Sequence, residues 1–461
     1  MRGIAFDIVY GVLENGEHSD EWFHRAVERE PAGGHGASGE VRKMAFTKQE
    51  KSFVRRLSYG TIERALELDA MLNHFLKTPM KKMRPVIRTI LRMGAYEILY
   101  MDSVPESATC NEMVKLAKKK KYHNLSGVVN GVLRNLARTE ADLLEKELLA
   151  DMRTEKQRLS FLYSMPEELV DMLIDAYGRR TTEKIGASFY EDSPVTIRVQ
   201  TMNASASQVK EELMSAGVLV QPCGYMEGVF QIQNFDRVDA LPGFREGHFT
   251  VQDVSSMLPV LVSGIKPGDV VVDVCSSPGG KTFHAVDRLK GKGFVSARDV
   301  SEKKIIKIRE NAQRLGVENI GIKIWDAAVP DEEWYEKADV VIADVPCSGI
   351  GVIGRKPEIK YEAMKHAASL RKLQREIVAG AEKMLKPGGT LIYSTCTVNP
   401  AENEENAEWI VEKLPFKAVG IDEYLPEGLR NKMTKAGMLQ ILPGIHEGDG
   451  FFVARFEKGK G

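Results

Sequence analysis

The sequence predicts a multidomain chain in three parts: an all-α N-terminal region, a small α+β module and a C-terminal α/β domain of Rossmann-like type. Three observations carry that prediction. Apolar residues recur at helical spacing through residues 1–140. Near Val195 the period changes to short β-branched runs around a single helical stretch. From about Phe249 strand and helix patterns alternate regularly, as in a parallel sheet. At 461 residues the chain is also too long for one ordinary domain. The divisions read from these changes are 1–140, a helical connector over 141–185, the α+β module over 186–248 and the α/β domain over 249–461.

Hydrophobic content of 43% and charged content of 28% describe a soluble globular protein. A formal net charge of -1 leaves no global polycationic signature, so nucleic-acid contacts must come from local patches. Cys110, Cys223, Cys275, Cys347 and Cys396 lie far apart. None forms the close pairs of a zinc site, which argues against a metal, and an odd, sparse set argues for a reducing compartment. No uncharged run of about 18 residues appears, and there is no signal-peptide core. The expectation is a cytoplasmic protein without a membrane segment.

In the first region, Ala5, Ile8, Val9 and Val12 keep one helical face, as do Ile62, Ala65 and Leu66. Val86 to Met101 repeats the pattern and predicts Arg88 and Arg92 on its outer face. Pro31 to Glu40 is rich in Gly and Ala and reads as a mobile loop. Lys118 to Lys121, with Arg134 and Arg138, form a basic stretch: a solvated face, or a patch for phosphates. Pro166-Glu-Glu-Leu-Val starts a helix in the connector. In the α+β module, Val195-Thr-Ile-Arg-Val and Gly228-Val-Phe-Gln-Ile read as strands and Ala206 to Ala216 as a helix.

The α/β domain concentrates the chemistry. Val270 to Val274 predicts a strand running into Cys275-Ser-Ser-Pro-Gly-Gly-Lys-Thr282. Small residues there let a ligand approach the backbone, and the next helix presents free N–H groups. Its spacing matches neither G-x-G-x-x-G nor a phosphate-binding P-loop. Strands predicted over Gly293–Ala297, Ile320–Trp325 and Val340–Ala343 lead to Asp299, Asp326 and Asp344. Asp299 falls about 20 residues past the glycine turn, where a Rossmann-like unit keeps its ribose-binding carboxylate. Three acids, each closing a successive strand, describe a nucleoside pocket at the carboxyl edge of the sheet. Asp344-Val-Pro-Cys-Ser-Gly ends one strand. Lys386-Pro-Gly-Gly reads as a turn before a strand over Thr390–Ser394 that ends at Thr395-Cys396-Thr397. Taken singly, Cys347 and Cys396 read as small buried hydrophobes. Each ends a predicted strand and could face one pocket, and the neighbouring motifs favour that reading over the buried one. Leu439-Gln-Ile-Leu-Pro and Asp449-Gly-Phe-Phe-Val-Ala-Arg read as two strands that close the sheet, with Phe451 and Phe452 as core.

Taken together, Val271-Val-Asp-Val-Cys-Ser-Ser-Pro-Gly-Gly-Lys-Thr, Asp344-Val-Pro-Cys-Ser-Gly, Lys356-Pro-Glu-Ile-Lys and Tyr393-Ser-Thr-Cys-Thr resemble the RNA (cytosine-5) methyltransferases of the Nop2/Sun class. The first region resembles the all-helical RNA-binding NusB fold, through Arg2 to Leu13, Phe53 to Leu68, Arg88-Thr-Ile-Leu-Arg-Met-Gly-Ala-Tyr-Glu and Val129-Asn-Gly-Val-Leu-Arg-Asn-Leu. Two departures stand out: Ser276-Ser277 replace the usual two alanines, and Arg298 before Asp299 is unusual.

The resemblance implies a class I methyltransferase domain, S-adenosyl-L-methionine as methyl donor, and an RNA-binding role for the α+β module. It implies that Cys275, Ser276, Ser277, Pro278, Gly279, Gly280 and Lys281 wrap that donor. Asp299 would hold the ribose, Asp326 would lie beside the adenine, and Asp344 would lie near both donor and base. Cys396 would be the nucleophile and Cys347 would assist release. The NusB-like region leans the substrate toward small-subunit rRNA. Alternatives are a tRNA substrate, or an rRNA-binding assembly factor with vestigial catalysis.

The chemistry explains the pair of thiols. Carbon 5 of cytosine is a poor nucleophile until a thiolate adds at carbon 6. A free thiol titrates near about 8.5, so the site must favour the anion, with Lys281 as the expected cation. A protonated Asp344 is the expected donor to N3. A flipped-out base favours single-stranded RNA, with Arg355, Lys356 and Lys360 among the expected phosphate contacts.

Overall fold

The computed structural model describes residues 1–28, 46–192 and 194–460; the loop expected over Pro31 to Glu40 lies outside them. The chain divides into two units, one of Met1–Phe189 with Arg355–Met364 and one of Tyr190–Gly354 with Lys365–Gly461.

The first unit is helical. Arg2–Asn15, Lys48–Glu63, Ala65–His74, Pro85–Tyr100, Glu106–Lys119 and Ser126–Arg138 are followed by further helices from Ala141–Asp151 to Arg179–Ser188. Local chemistry explains two of the starts. Thr47 and Glu50 exchange side-chain and backbone hydrogen bonds in a capping box. Pro85 opens its helix at the first turn, where no N–H is needed. Ile8, Leu57, Ile62, Leu68, Ile90, Leu91 and Leu133 are wholly buried in the shared core.

Arg88 and Arg92 do not lie on an outer face. Ile87 and every residue from Thr89 through Glu97 are buried, so the helix is covered nearly all round there. Arg92 grips both oxygens of Asp69 at 2.7 and 2.6 Å, and Arg88 Nε donates to Glu14 at 2.9 Å. Lys360, expected at a phosphate, is buried and donates to the Glu63 carbonyl, while Arg355 and Lys356 are exposed. Lys118, Lys119, Lys121, Arg134 and Arg138 are exposed, while Lys120 pairs with Asp7 at 2.7 Å.

The second unit holds two sheets. The small one has β1 (Val195–Val199), β2 (Leu219–Pro222), β3 (Val229–Gln233) and β4 (Phe249–Val251) in the antiparallel order β2-β3-β1-β4. The sequence reading lacks β2. It is an edge strand with mostly exposed residues and ends in Pro222, so it carries no alternating apolar signal. Helix Ala206–Ser215 is capped by Ser205, whose hydroxyl accepts from Gln208 N at 3.2 Å.

The large sheet contains β5 (Val270–Asp273), β6 (Phe294–Asp299), β7 (Ile320–Ile324), β8 (Ala338–Asp344), β9 (Leu385–Thr395), β10 (Phe416–Ala418), β11 (Met438–Ile441) and β12 (Phe451–Lys458). The order is β10-β12-β9-β8-β5-β6-β7, with β11 also on β12. Strands β5 to β9 pair in parallel, and β12 joins β9 antiparallel. Phe451 and Phe452 are core, 2% and 0% exposed, as expected. The turn expected at Lys386–Gly389 is a bulge inside β9. Leu385 pairs with Ala338 and Thr390 with Val340, so four residues loop out between them, with Gly388 at φ 77°.

Candidate functional site

From β5 the chain runs outward to β6 and β7, then returns to β8 on the other side of β5. The carboxyl ends of β5 and β8 therefore flank the topological switch point, where open α/β sheets bind ligands. Asp273 ends β5, Asp299 ends β6, Asp344 ends β8, and Cys396 follows β9.

The loop after β5 is stitched to β6. Ser276 Oγ donates to the Asp273 carbonyl at 2.8 Å and accepts from Arg298 N at 2.7 Å. Ser277 N donates to Asp299 Oδ2 at 3.1 Å. Thus the serine at 276, a departure from the family pattern, has its hydroxyl in use. Gly279 has φ 113°, and a Cβ there would fall 2.3 Å from the Phe283 ring. Helix Gly280–Leu289 starts directly after it. Asp299 is buried and also accepts from Lys304 Nζ at 3.1 Å.

Lys281 stands in the first turn of that helix. Its Nζ lies 2.6 Å from Asp344 Oδ2 and 3.0 Å from Ser256 Oγ. Burial pulls the Lys281 ammonium toward neutrality, but the charge and hydrogen bond of Asp344 outweigh it and hold the group above the ordinary lysine range. Asp344 Oδ1 accepts from Ser394 Oγ at 2.8 Å. Both oxygens of Asp344 are thus arranged as acceptors, not as the donor expected from sequence.

Cys347 and Cys396 meet. Their sulfurs are 3.2 Å apart, and both residues are part-exposed. The hydrogen bond with Cys396, then burial, pushes the Cys347 thiol well up; by geometry either sulfur can be the donor of that bond. Cys275 is different. Burial and the carboxylates of Asp273, Asp344 and Asp299 push its thiol far up, which suits an inert cysteine. Asp273 itself, wholly buried, is pushed up to about 7 by desolvation, against a hydrogen bond from Thr282 Oγ1 at 2.6 Å. Asp326 is exposed two residues past β7 and accepts from Ala328 N at 3.0 Å.

Sequence reasoning missed Asp273, Ser256 and Ser394. An acid inside a buried apolar strand was a legible signal for Asp273. Nothing local marked the serines. Among the described residues no cluster of His, Cys, Asp and Glu could hold a metal ion, and no helix is long and apolar enough to cross a membrane.

A doubly wound sheet with acids ending its strands and an ion pair beside two thiols defines an S-adenosylmethionine-dependent methyltransferase. Comparison narrows the class. The 16S rRNA methyltransferase RsmB/F family model matches residues 260–457, the NusB family matches 1–138, and an RsmF/B-like ferredoxin-like domain matches 165–239. The probable ribosomal RNA small subunit methyltransferase B of Synechocystis sp. is 31% identical, with 99% of each chain covered. That of Bacillus subtilis is 32% identical over 91% of this chain and 93% of its own. A methyltransferase homolog protein from Pyrococcus horikoshii superposes with a TM-score of 0.58 at 25% identity, over 67% of this chain and 100% of its own. The chain belongs to the ribosomal RNA small subunit methyltransferase B family.

Proposed function

We propose that this methyltransferase modifies carbon 5 of a specific cytosine in small-subunit (16S) rRNA, through a transient bond between Cys396 and carbon 6. The observation that most supports this is the 3.2 Å approach of two thiols beside the Lys281–Asp344 pair.

The donor set suits S-adenosylmethionine. Asp299 is a buried acceptor fixed by Ser277 N–H and Val300 N–H and paired with Lys304, which leaves about one of its four acceptor sites for a ribose hydroxyl. Cys275 to Gly280 bring small residues and a helix N-terminus, and Asp326 is accessible for the adenine amino group. Bound, the donor supplies an electrophilic methyl group on a sulfonium centre.

The chain's residues do the rest. Cys396, as thiolate, adds to carbon 6, and the displaced electron pair makes carbon 5 nucleophilic. Lys281 donates to N3 and balances the charge that addition puts on the ring. Asp344 accepts from the exocyclic amino group. That pairing suits cytosine and mismatches uracil, which shows the reverse donor pattern. Carbon 5 takes the methyl group and then loses its proton to a base. The returning electron pair expels Cys396 as thiolate. Cys347, beside that sulfur, assists the release. Exposed Lys118, Lys119, Lys121, Arg134 and Arg138 of the helical unit serve phosphates, and Arg355 and Lys356 do the same. We read 1–140 and 186–248 as the RNA-binding divisions, 249–461 as the catalytic one, and the compartment as cytoplasm.

The test is labelled methyl transfer to 16S rRNA from a strain lacking the gene, followed by bisulfite sequencing. One newly protected cytosine is expected. No transfer, or a methyl group elsewhere than carbon 5 of cytosine, overturns the reading.

A further inference from the structure

Behind the two thiols lies a web of buried polar groups that the chemistry above does not use. Glu402, Gln374, Asn399 and Asn406 are 0%, 0%, 4% and 1% exposed. Glu402 Oε2 accepts from Ser348 N at 2.9 Å and from Gln374 Nε2 at 2.8 Å, and its Oε1 accepts from Asn399 Nδ2 at 2.9 Å. Gln374 Nε2 also donates to the Pro346 carbonyl at 2.9 Å. The backbone on both sides of Cys347 is therefore gripped by this pair. Ser348 Oγ shares a 2.7 Å hydrogen bond with Thr397 Oγ1, which ties that turn to the residue after Cys396.

The bond from Ser348 N fixes the Glu402 carboxylate against the backbone next to Cys347, where it opposes charge on that thiol, and the Lys281 ammonium interacts with Cys396. We propose that Glu402 is a positioning residue that makes the two neighbouring thiols unequal, holding Cys347 as the hydrogen-bond donor and leaving Cys396 to become the nucleophile. A buried carboxylate opposes a second negative charge nearby, and charge-assisted bonds from Ser348, Gln374 and Asn399 offset its own burial. As a thiol, Cys347 can then donate to the Cys396 anion. As a thiolate it would repel that anion at 3.2 Å. This rests on the cysteine roles assigned above.

The experiment reads the pH dependence of Cys347 alkylation by iodoacetamide in a Cys396→Ser background, which removes the partner sulfur. Glu402 and Tyr393 are titratable neighbours of Cys347 that this variant keeps. Cys347 is expected to resist alkylation until well above the ordinary thiol value of about 8.5. Adding Glu402→Gln should move the profile down by about one pH unit or more, a tenfold change in thiolate at fixed pH. Glu402→Asp, which keeps the charge, should restore most of it. In the enzyme with both cysteines, the RNA adduct should map to Cys396 alone, and Glu402→Gln should divert part of it to Cys347. Ordinary alkylation of Cys347 with Glu402 present, or a profile and adduct map unmoved by Glu402→Gln, overturns the proposal. The first of these needs no Glu402 variant to fold. An adduct on Cys347 in the unaltered enzyme would instead overturn the cysteine roles, and the alkylation profile would still report on Glu402.

Discussion

Cys347 Sγ and Cys396 Sγ stand 3.2 Å apart although 49 positions separate them in the chain. That proximity turns two strand ends into one reactive centre. Two thiols in hydrogen-bonding contact cannot both ionise easily, and the proposed mechanism makes one the nucleophile and the other its donor.

The first prediction follows from that division. Cys396→Ala is expected to abolish both methylation and covalent capture of RNA. Cys347→Ala is expected to accumulate a protein–RNA adduct, seen as a slow band on a denaturing gel. An adduct formed by Cys396→Ala would exchange the two roles.

The Lys281–Asp344 pair supplies the second. Lys281→Met removes the donor proposed to balance charge on the ring and leaves Asp344 without its 2.6 Å partner. Single-turnover methyl transfer should fall by about 10²- to 10³-fold. Asp344→Asn should weaken discrimination as well, so that RNA carrying uridine at the target position competes better than it does with the unaltered enzyme.

Asp273 predicts how stability depends on pH. Its carboxyl is pushed from 3.8 up to about 7, first by burial. Between those values the folded chain binds the proton that the unfolded chain has lost, so stability falls as pH rises through the window. Its contribution is fully present below about 4 and gone above about 7. Urea midpoints at pH 5 and pH 8 should therefore differ in that sense, and Asp273→Asn should shrink the difference.

In the helical unit, Arg92→Ala strips both oxygens of the largely buried Asp69 of their guanidinium partner. Breaking such a pair costs about 3–5 kcal/mol when fully buried. Arg92 and Asp69 side chains are 10% and 18% exposed, so a loss near the lower end, about 3 kcal/mol, is expected in the denaturation midpoint. An Arg88→Ala change, at a side chain 18% exposed, should cost less.

Much of the site was legible before any coordinates. Asp299 and Asp344 could be placed at strand ends because a buried β-branched run followed by a Pro or Gly turn announces itself in one dimension. The same signal marked Cys347 and Cys396. It failed at β2, whose exposed edge position leaves no alternation to read. It also failed at Arg88 and Arg92, where helical period separates two faces only if one of them meets solvent.

By itself the sequence determined the kinds of element, their order, and the chemistry available at each strand end: carboxylates, a lysine at a helix start, two thiols. Only the tertiary structure decided which of these groups face one another. Asp344 became an acceptor because Lys281 and Ser394 converge on it from other elements. Lys360 left the pool of phosphate contacts because it is buried against the Glu63 carbonyl. Glu402 came to lie behind Cys347 because residues far apart in the chain pack together there. The reason is physical: local periodicity is fixed by backbone geometry, whereas hydrogen-bond partners and local charge are fixed by packing between distant segments.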